Sequence, residues 1–392
     1  MKSTIYWFWF LCFIFSLQGC GTVKGWFSDD DENARQPAEL AKISSTVVIK
    51  KVWSVGVGNG QGKGLYRIKP FISADTIYAA ANDGEIKAIN RLDGKVIWKR
   101  EIDNFLSGGV GLYKDKLFLG TVDGAALMMD AKGGEIIWSS RLSGEVLAAP
   151  QSNGDVVVVQ TYDGKLSGLD FVTGVKIWTF DSNLPVLTIR GTGTPIIRDS
   201  AVYASFANGR VMAFDSMTGS ILWETRVAIA KGRSDIERIV DIDGTMSIQG
   251  NQLFAASYQG RLVAIDLGDG GRLWQREISS ISGTSLGFGN VYVVDDDGTV
   301  NAYLASGQGL RWSQNALAYR ELSRPITVLG YVAVVDFEGY LHLMSQLDGE
   351  FVGRVRPDKN GARADMLSVG NILYVYGDSG KLFAYEIRSK KI

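Results

Sequence analysis

Few residues of this chain are of a type that does covalent chemistry. In 392 residues there is one histidine, His342, and there are two cysteines, Cys12 and Cys20. Histidine is the side chain best placed to move protons near neutral pH. His342, however, stands in the alternating run Tyr340-Leu341-His342-Leu343 and reads as a strand residue. No Cys/His group has the spacing of a zinc site. No Gly-x-Ser-x-Gly elbow or phosphate-cradling Gly-rich loop is present. The densest carboxylate run, Asp295-Asp296-Asp297, precedes Gly298, where aspartates serve hairpin turns. No catalytic residue and no metal ligand is assigned, and the expectation is a protein that is not an enzyme.

One cysteine has a clear context. Lys2 is followed by an almost continuously apolar stretch over residues 5–17. That is short of the ~20 residues needed to span a bilayer and fits the core of a secretory leader. It ends in Leu17-Gln18-Gly19-Cys20, which resembles the bacterial lipobox. The resemblance implies cleavage after residue 19, acylation of Cys20 and anchoring by several buried chains. Gly21, where an Asp would imply retention at the inner membrane, implies the periplasmic face of the outer membrane. The alternative is a soluble exported protein cleaved near Gly19. With Cys12 removed and Cys20 lipidated, no disulfide is expected. Residues 20–44, with the acidic run at 28–33, read as the lipidated N-terminus and a solvated tether.

What must position any site is a repeat. Asp83-Gly84, Asp123-Gly124, Asp163-Gly164, Asn208-Gly209, Gln259-Gly260 and Asp297-Gly298 are each followed, 14 residues after the glycine, by Trp98, Trp138, Trp178, Trp223, Trp274 and Trp312. Gly339 and Gly380 continue the series, with steps of 40, 40, 45, 51, 38, 41 and 41 residues. Within one period, short apolar or alternating runs are separated by Gly turns, as in 76–81, 85–89 and 95–98. These are antiparallel strands joined by hairpins. Four such strands in about 40 residues make a propeller blade.

The second half of the unit, Ala-(apolar)-Asp with Gly and Trp following, is complete at Ala213-Phe214-Asp215, Gly219 and Trp223. It resembles the PQQ-like propeller repeat, in which the tryptophan packs between blades. Burying one indole removes roughly 150–250 Å² from water, ~4–6 kcal/mol gross as an upper bound. Residues 45–392 are therefore expected to form an all-β, eight-bladed propeller of four-stranded antiparallel blades. The chain ends before a last tryptophan. The strand around 47–54, carrying Trp53, is expected to complete the final blade. Gly353 takes the tryptophan position in the seventh unit, so that interface must be packed differently.

The two long steps place extra residues in successive connections between blades, over 181–191 and 230–244. Enlarged loops on a rigid scaffold commonly bind partners. Leu187, Ile189 and Arg190 in the first, with Asp241 and Asp243 in the second, suit a protein interface. They equally suit a loop packed on itself, with Arg190 paired to Asp241.

A lipobox, an acidic tether, eight PQQ-like blades, Leu-x-Ile-Arg-Gly and Glu-Arg-x-x-Asp-x-Asp together resemble the BamB family, the propeller lipoproteins of the outer-membrane β-barrel assembly machinery. The resemblance covers essentially the whole chain. It implies a monomer within a hetero-complex that binds the periplasmic POTRA domains of BamA. The implied contacts are Leu187, Ile189, Arg190, Asp241 and Asp243, with Glu237-Arg238 beside them. It also implies help for unfolded outer-membrane proteins, and no cofactor beyond the lipid on Cys20. The alternatives are a quinoprotein dehydrogenase, whose paired cysteines and calcium constellation are not found here, and an interaction propeller with another partner. With 41 Lys and Arg against 42 Asp and Glu, there is no basic excess to hold nucleic acid.

Overall fold

The middle strands of each repeat are apolar at nearly every position, as in Val156–Gln160, where all five residues are buried. Such runs must be covered on both faces. In the computed structural model they are. The structure describes residues 36–64 and 66–390. The chain separates into a unit of residues 1–38 and a unit of 39–392, and all the described strands belong to the second. The leader, Cys20 and the acidic run lie outside the described residues.

Among the described residues there are eight four-stranded antiparallel sheets. Blade 1 is built from Phe71–Ser73, Thr76–Ala80, Glu85–Asn90 and Val96–Glu101, paired in that order. Blades 2 to 7 repeat this order over residues 106–141, 151–181, 196–226, 247–278, 284–314 and 326–355. Blade 8 takes Leu367–Val369, Ile372–Tyr376 and Lys381–Ser389, and its outermost strand is Val47–Gly56 from the other end of the chain. The expected closure by mixed termini is therefore present, and it pairs the edge that the last strand would otherwise expose.

The core is not one mass but eight clusters, one between each pair of neighbouring blades. Strand alternation makes this possible, since Ile77 and Ala79 face blade 8 while Ala80 and Ile86 face blade 2. The series continues through every interface to the one joining blades 7 and 8, so the ring is closed.

Each tryptophan lies at one of these interfaces. The indole Nε1 of Trp53, Trp98, Trp138, Trp178, Trp223, Trp274 and Trp312 donates to the carbonyl of Arg91, Ala131, Phe171, Ser216, Leu267, Ala305 and Gln346 of the next blade, at 2.9–3.1 Å. The receiving turn carries a glycine against the ring. At Gly174, φ is +71° and an added Cβ would lie 2.7 Å from Trp138 Cδ2. Opposite the tryptophan, on the neighbouring strand, stands a small residue at Ala88, Ala213, Ala264 and Gly168, just before a bulge, whereas Met128 stands opposite Trp138. This explains the repeated motif: the Ala leaves room for the indole. The Asp two residues on shapes the turn, as Asp215 Oδ1 accepts from the N–H of Met217 and Thr218.

At Gly353 the space is taken by Val47 and Ile49 of the Val47–Gly56 strand. Upstream, Leu40 packs against the cluster between blades 6 and 7, and the Ala41 carbonyl accepts from Arg354 Nη1 at 2.9 Å. The end of the stretch read as tether thus lies on the propeller.

Candidate partner-binding site

The two long connections lie side by side, between blades 3 and 4 and between blades 4 and 5. In the first, apolar side chains face solvent: Val186 is 85% exposed and Leu187 43% exposed. An exposed apolar pair on an enlarged loop makes this connection a candidate contact surface. Ile189 is half-buried beneath them.

Two carboxyls lie beneath the loop. Asp241 Oδ2 accepts from the Ile189 N–H. Asp243 sits against Gly191, where an added Cβ would meet its Oδ2 at 2.5 Å. Arg190 does not pair with Asp241. Its Nη2 lies 2.7 Å from Glu145 Oε2, at the start of blade 3. Its guanidinium also lies over the rings of Tyr66 and Tyr162, 5.5 and 5.7 Å from their centroids. An Arg held by a carboxylate and two aromatic faces is a preorganised anchor.

Asp241, expected as a direct contact, is only 1% exposed. Burial pushes its carboxyl up to about 7, against the Ile189 N–H. Burial, then the charge of Asp241, push Asp243 up to about 8, with Arg67 opposing. Asp241 Oδ1, Asp243 Oδ2 and Glu145 Oε1 are buried without a hydrogen-bond partner. The second loop is exposed over residues 231–238. Glu237 caps its turn, accepting from the N–H of Arg233 at 2.6 Å and of Ser234 at 3.3 Å, which leaves Arg238 and Ile236 outward.

A cleft beside the first loop is lined by Tyr66, Arg67, Leu147, Ile189, Asp243 and Ile281, among others. Glu145, Tyr162, Tyr66 and Arg67 are not marked in the sequence because they come from blade 3 and from the segments ahead of blades 1 and 3. No spacing pattern links them to Arg190.

The remaining chemical candidates are structural. His342 is fully enclosed: its Nδ1 accepts from Arg354 Nε at 3.0 Å, which leaves Nε2–H to donate to Asp336 Oδ2 at 3.0 Å. Burial, outweighing Asp336, lowers its pKa and keeps it neutral. Asp295 and Asp297 share a hydrogen bond within their turn. No group of three or more His, Cys, Asp or Glu side chains could hold a metal ion among the described residues.

The fold and the sequence place the chain among known proteins. The family model described as outer membrane protein assembly factor BamB matches residues 82–314. The BamB of Pseudomonas aeruginosa is 45% identical over 361 residues, 92% of this chain and 95% of that protein. The BamB of Kangiella koreensis is 35% identical over 332 residues, 84% of this chain and 85% of that one. The crystal structure of BamB from Moraxella catarrhalis superposes with a TM-score of 0.80 at 28% identity, covering 86% of this chain and all of that one. Quinohemoprotein alcohol dehydrogenase from Comamonas testosteroni, at 14% identity and a TM-score of 0.68, shares the fold alone. The chain is thus a non-enzymatic propeller, and it belongs to the BamB family of outer membrane protein assembly factors.

Proposed function

We propose that this protein is a scaffold of the outer-membrane β-barrel assembly machinery. Anchored by lipid on Cys20 at the periplasmic face of the outer membrane, it binds the POTRA domains of BamA and assists the folding and insertion of outer-membrane proteins. It needs no cofactor.

The observation that carries the reading is the first long loop. It presents Val186 and Leu187 to solvent while buried groups from other blades hold its base. Apolar exposure combined with a fixed backbone is what a docking site needs, because little ordering remains to oppose binding. Leu187 supplies apolar contact and Arg190 a rigid charged anchor. Ile189 supports both from below, and Asp241 and Asp243 set the loop. The test is BamA binding by Leu187→Asp, with melting as the control for folding. A folded variant that binds like the wild type removes this reading.

A second reading concerns unfolded substrates. The outermost strands expose apolar pairs, Val96-Ile97, Ile136-Ile137 and Ile221-Leu222. An extended peptide could add to such edges by backbone pairing. Photocrosslinkers placed at Ile97 and Ile137 should capture an unfolded substrate. Capture only at the long loops discards the idea.

A further inference from the structure

The first long loop does not stand free. Arg190 leaves the connection between blades 3 and 4 and lies over Tyr66, a residue just ahead of blade 1. The cleft so formed draws its lining from Tyr66 and Arg67, from Leu147 ahead of blade 3, from residues 189–192, from Asp243 and from Ile281 ahead of blade 6. These are the segments that enter the innermost strands, so the loop spans the mouth of the ring's centre.

The charges around this cleft do not balance. Arg190 is paired with Glu145. Deeper in, Asp365 Oδ2 lies 3.3 Å from Arg324 Nη1 and accepts from Thr245 Oγ1 at 2.8 Å. Lys69 supports it from nearby, and Arg67 acts only as the weakest of its neighbours. Arg67 is exposed, its Nη1 reaches only the Ile281 carbonyl at 3.4 Å, and it has no ion pair among the described residues. Besides Asp365, Asp243 is the carboxyl that feels its charge. That carboxyl is pushed up to about 8 by burial and by Asp241, so near neutral pH it is largely protonated. A protonated carboxyl neutralises nothing but can donate a hydrogen bond. Its Oδ2 has no partner. The cleft therefore offers one exposed guanidinium without an ion pair among the described residues, and apolar walls at Leu147, Ile189 and Ile281. That is a receptor for a carboxylate carried on an apolar surface.

We propose that the partner site continues past the two long loops onto blade 1, where Tyr66 and Arg67 form the far wall of a cleft that takes an acidic side chain of BamA. This rests on the reading that BamA is the partner. Tyr66 is a positioning residue, acting through Arg190. Arg67 makes the contact.

The test uses full-length chains in detergent. BamA affinity is measured for the wild type, Arg67→Ala, Arg67→Lys, Arg67→Glu and Leu187→Asp, each with its melting temperature. Loss of one charged partner at an interface is expected to weaken binding by about tenfold or more. Arg67→Ala should show this at unchanged melting temperature, Arg67→Glu should be weaker still, and Arg67→Lys should retain most of the affinity. An acidic-to-Lys substitution in BamA should rescue Arg67→Glu. If all Arg67 variants bind like the wild type while Leu187→Asp does not, the cleft is not part of the site and the loop reading stands. If Leu187→Asp also binds normally, the loop reading itself has failed. If inorganic phosphate raises the melting temperature of the wild type but not of Arg67→Ala, with BamA binding equal in both, the cleft serves a free anion and the proposal is overturned.

Discussion

Gly353 in blade 7 lies so close to Val47 in blade 8 that an added Cβ would come within 2.8 Å of Val47 Cγ2. At the other seven interfaces an indole occupies the equivalent space. Here the first strand of the propeller reaches across instead, with Val47 and Ile49 against Gly353 and the Thr46 N–H donating to the Val352 carbonyl at 2.9 Å. The same strand carries Trp53 into blade 1. One segment thus fastens two interfaces, and the missing tryptophan is part of the closure.

Restoring the repeat should therefore do harm. Gly353→Trp would force a large ring into a filled space, and overpacking costs about 1–3 kcal/mol. Chemical denaturation should show a less stable protein. A more stable one would mean that the interface has an unfilled cavity.

Truncating the indoles should cost more. Trp138→Ala removes a buried ring and its bond to Phe171, a loss of about 3–5 kcal/mol. Trp98 and Trp274 are only half-buried, so their alanine variants should lose less. Equal losses at all three positions would show that the Nε1 bond, rather than ring burial, dominates.

The fold is legible in the sequence because its determinants are local and repeated. Glycine, small residue, aspartate and tryptophan recur at fixed spacing, and each owes its place to one interface geometry. The site is legible only in part. Loop lengths point to Leu187, Ile189 and Arg190, and to Asp241 and Asp243. Nothing local distinguishes a carboxylate that faces solvent from one that turns inward, so the sequence alone presents Asp241 as a contact. The partner of Arg190 is Glu145, 45 residues away and brought near only by the ring.

The buried carboxyls give stability a pH dependence. The folded chain holds protons on Asp241 up to about 7 and on Asp243 up to about 8, whereas an unfolded Asp releases its proton near about 4. The native state therefore binds more protons in this window. The contribution of these groups is complete below the unfolded value and is lost as pH rises through 7 and 8. Asp295, raised to about 7, acts in the same sense. Melting temperature should fall from about pH 5 to about pH 8, between the unfolded and the folded titrations. Asp243→Asn should flatten part of that fall. A wild-type profile that rises with pH would show these carboxyls ionised in the native state.

The loop-holding role of Asp241 separates from its charge. Asp241→Asn keeps an oxygen for the Ile189 N–H and should retain BamA binding. Asp241→Ala removes it and should weaken binding by about severalfold, the order expected for one lost hydrogen bond. Equal binding by both would detach Asp241 from the loop's conformation.

The most direct test is capture of BamA by the full-length chain and by its Leu187→Asp/Arg190→Ala variant, after equal melting temperatures have been established. The account predicts that the wild type retains BamA and that the folded double variant loses it. Retention of BamA by the double variant would contradict the assignment of the first long loop as the docking surface.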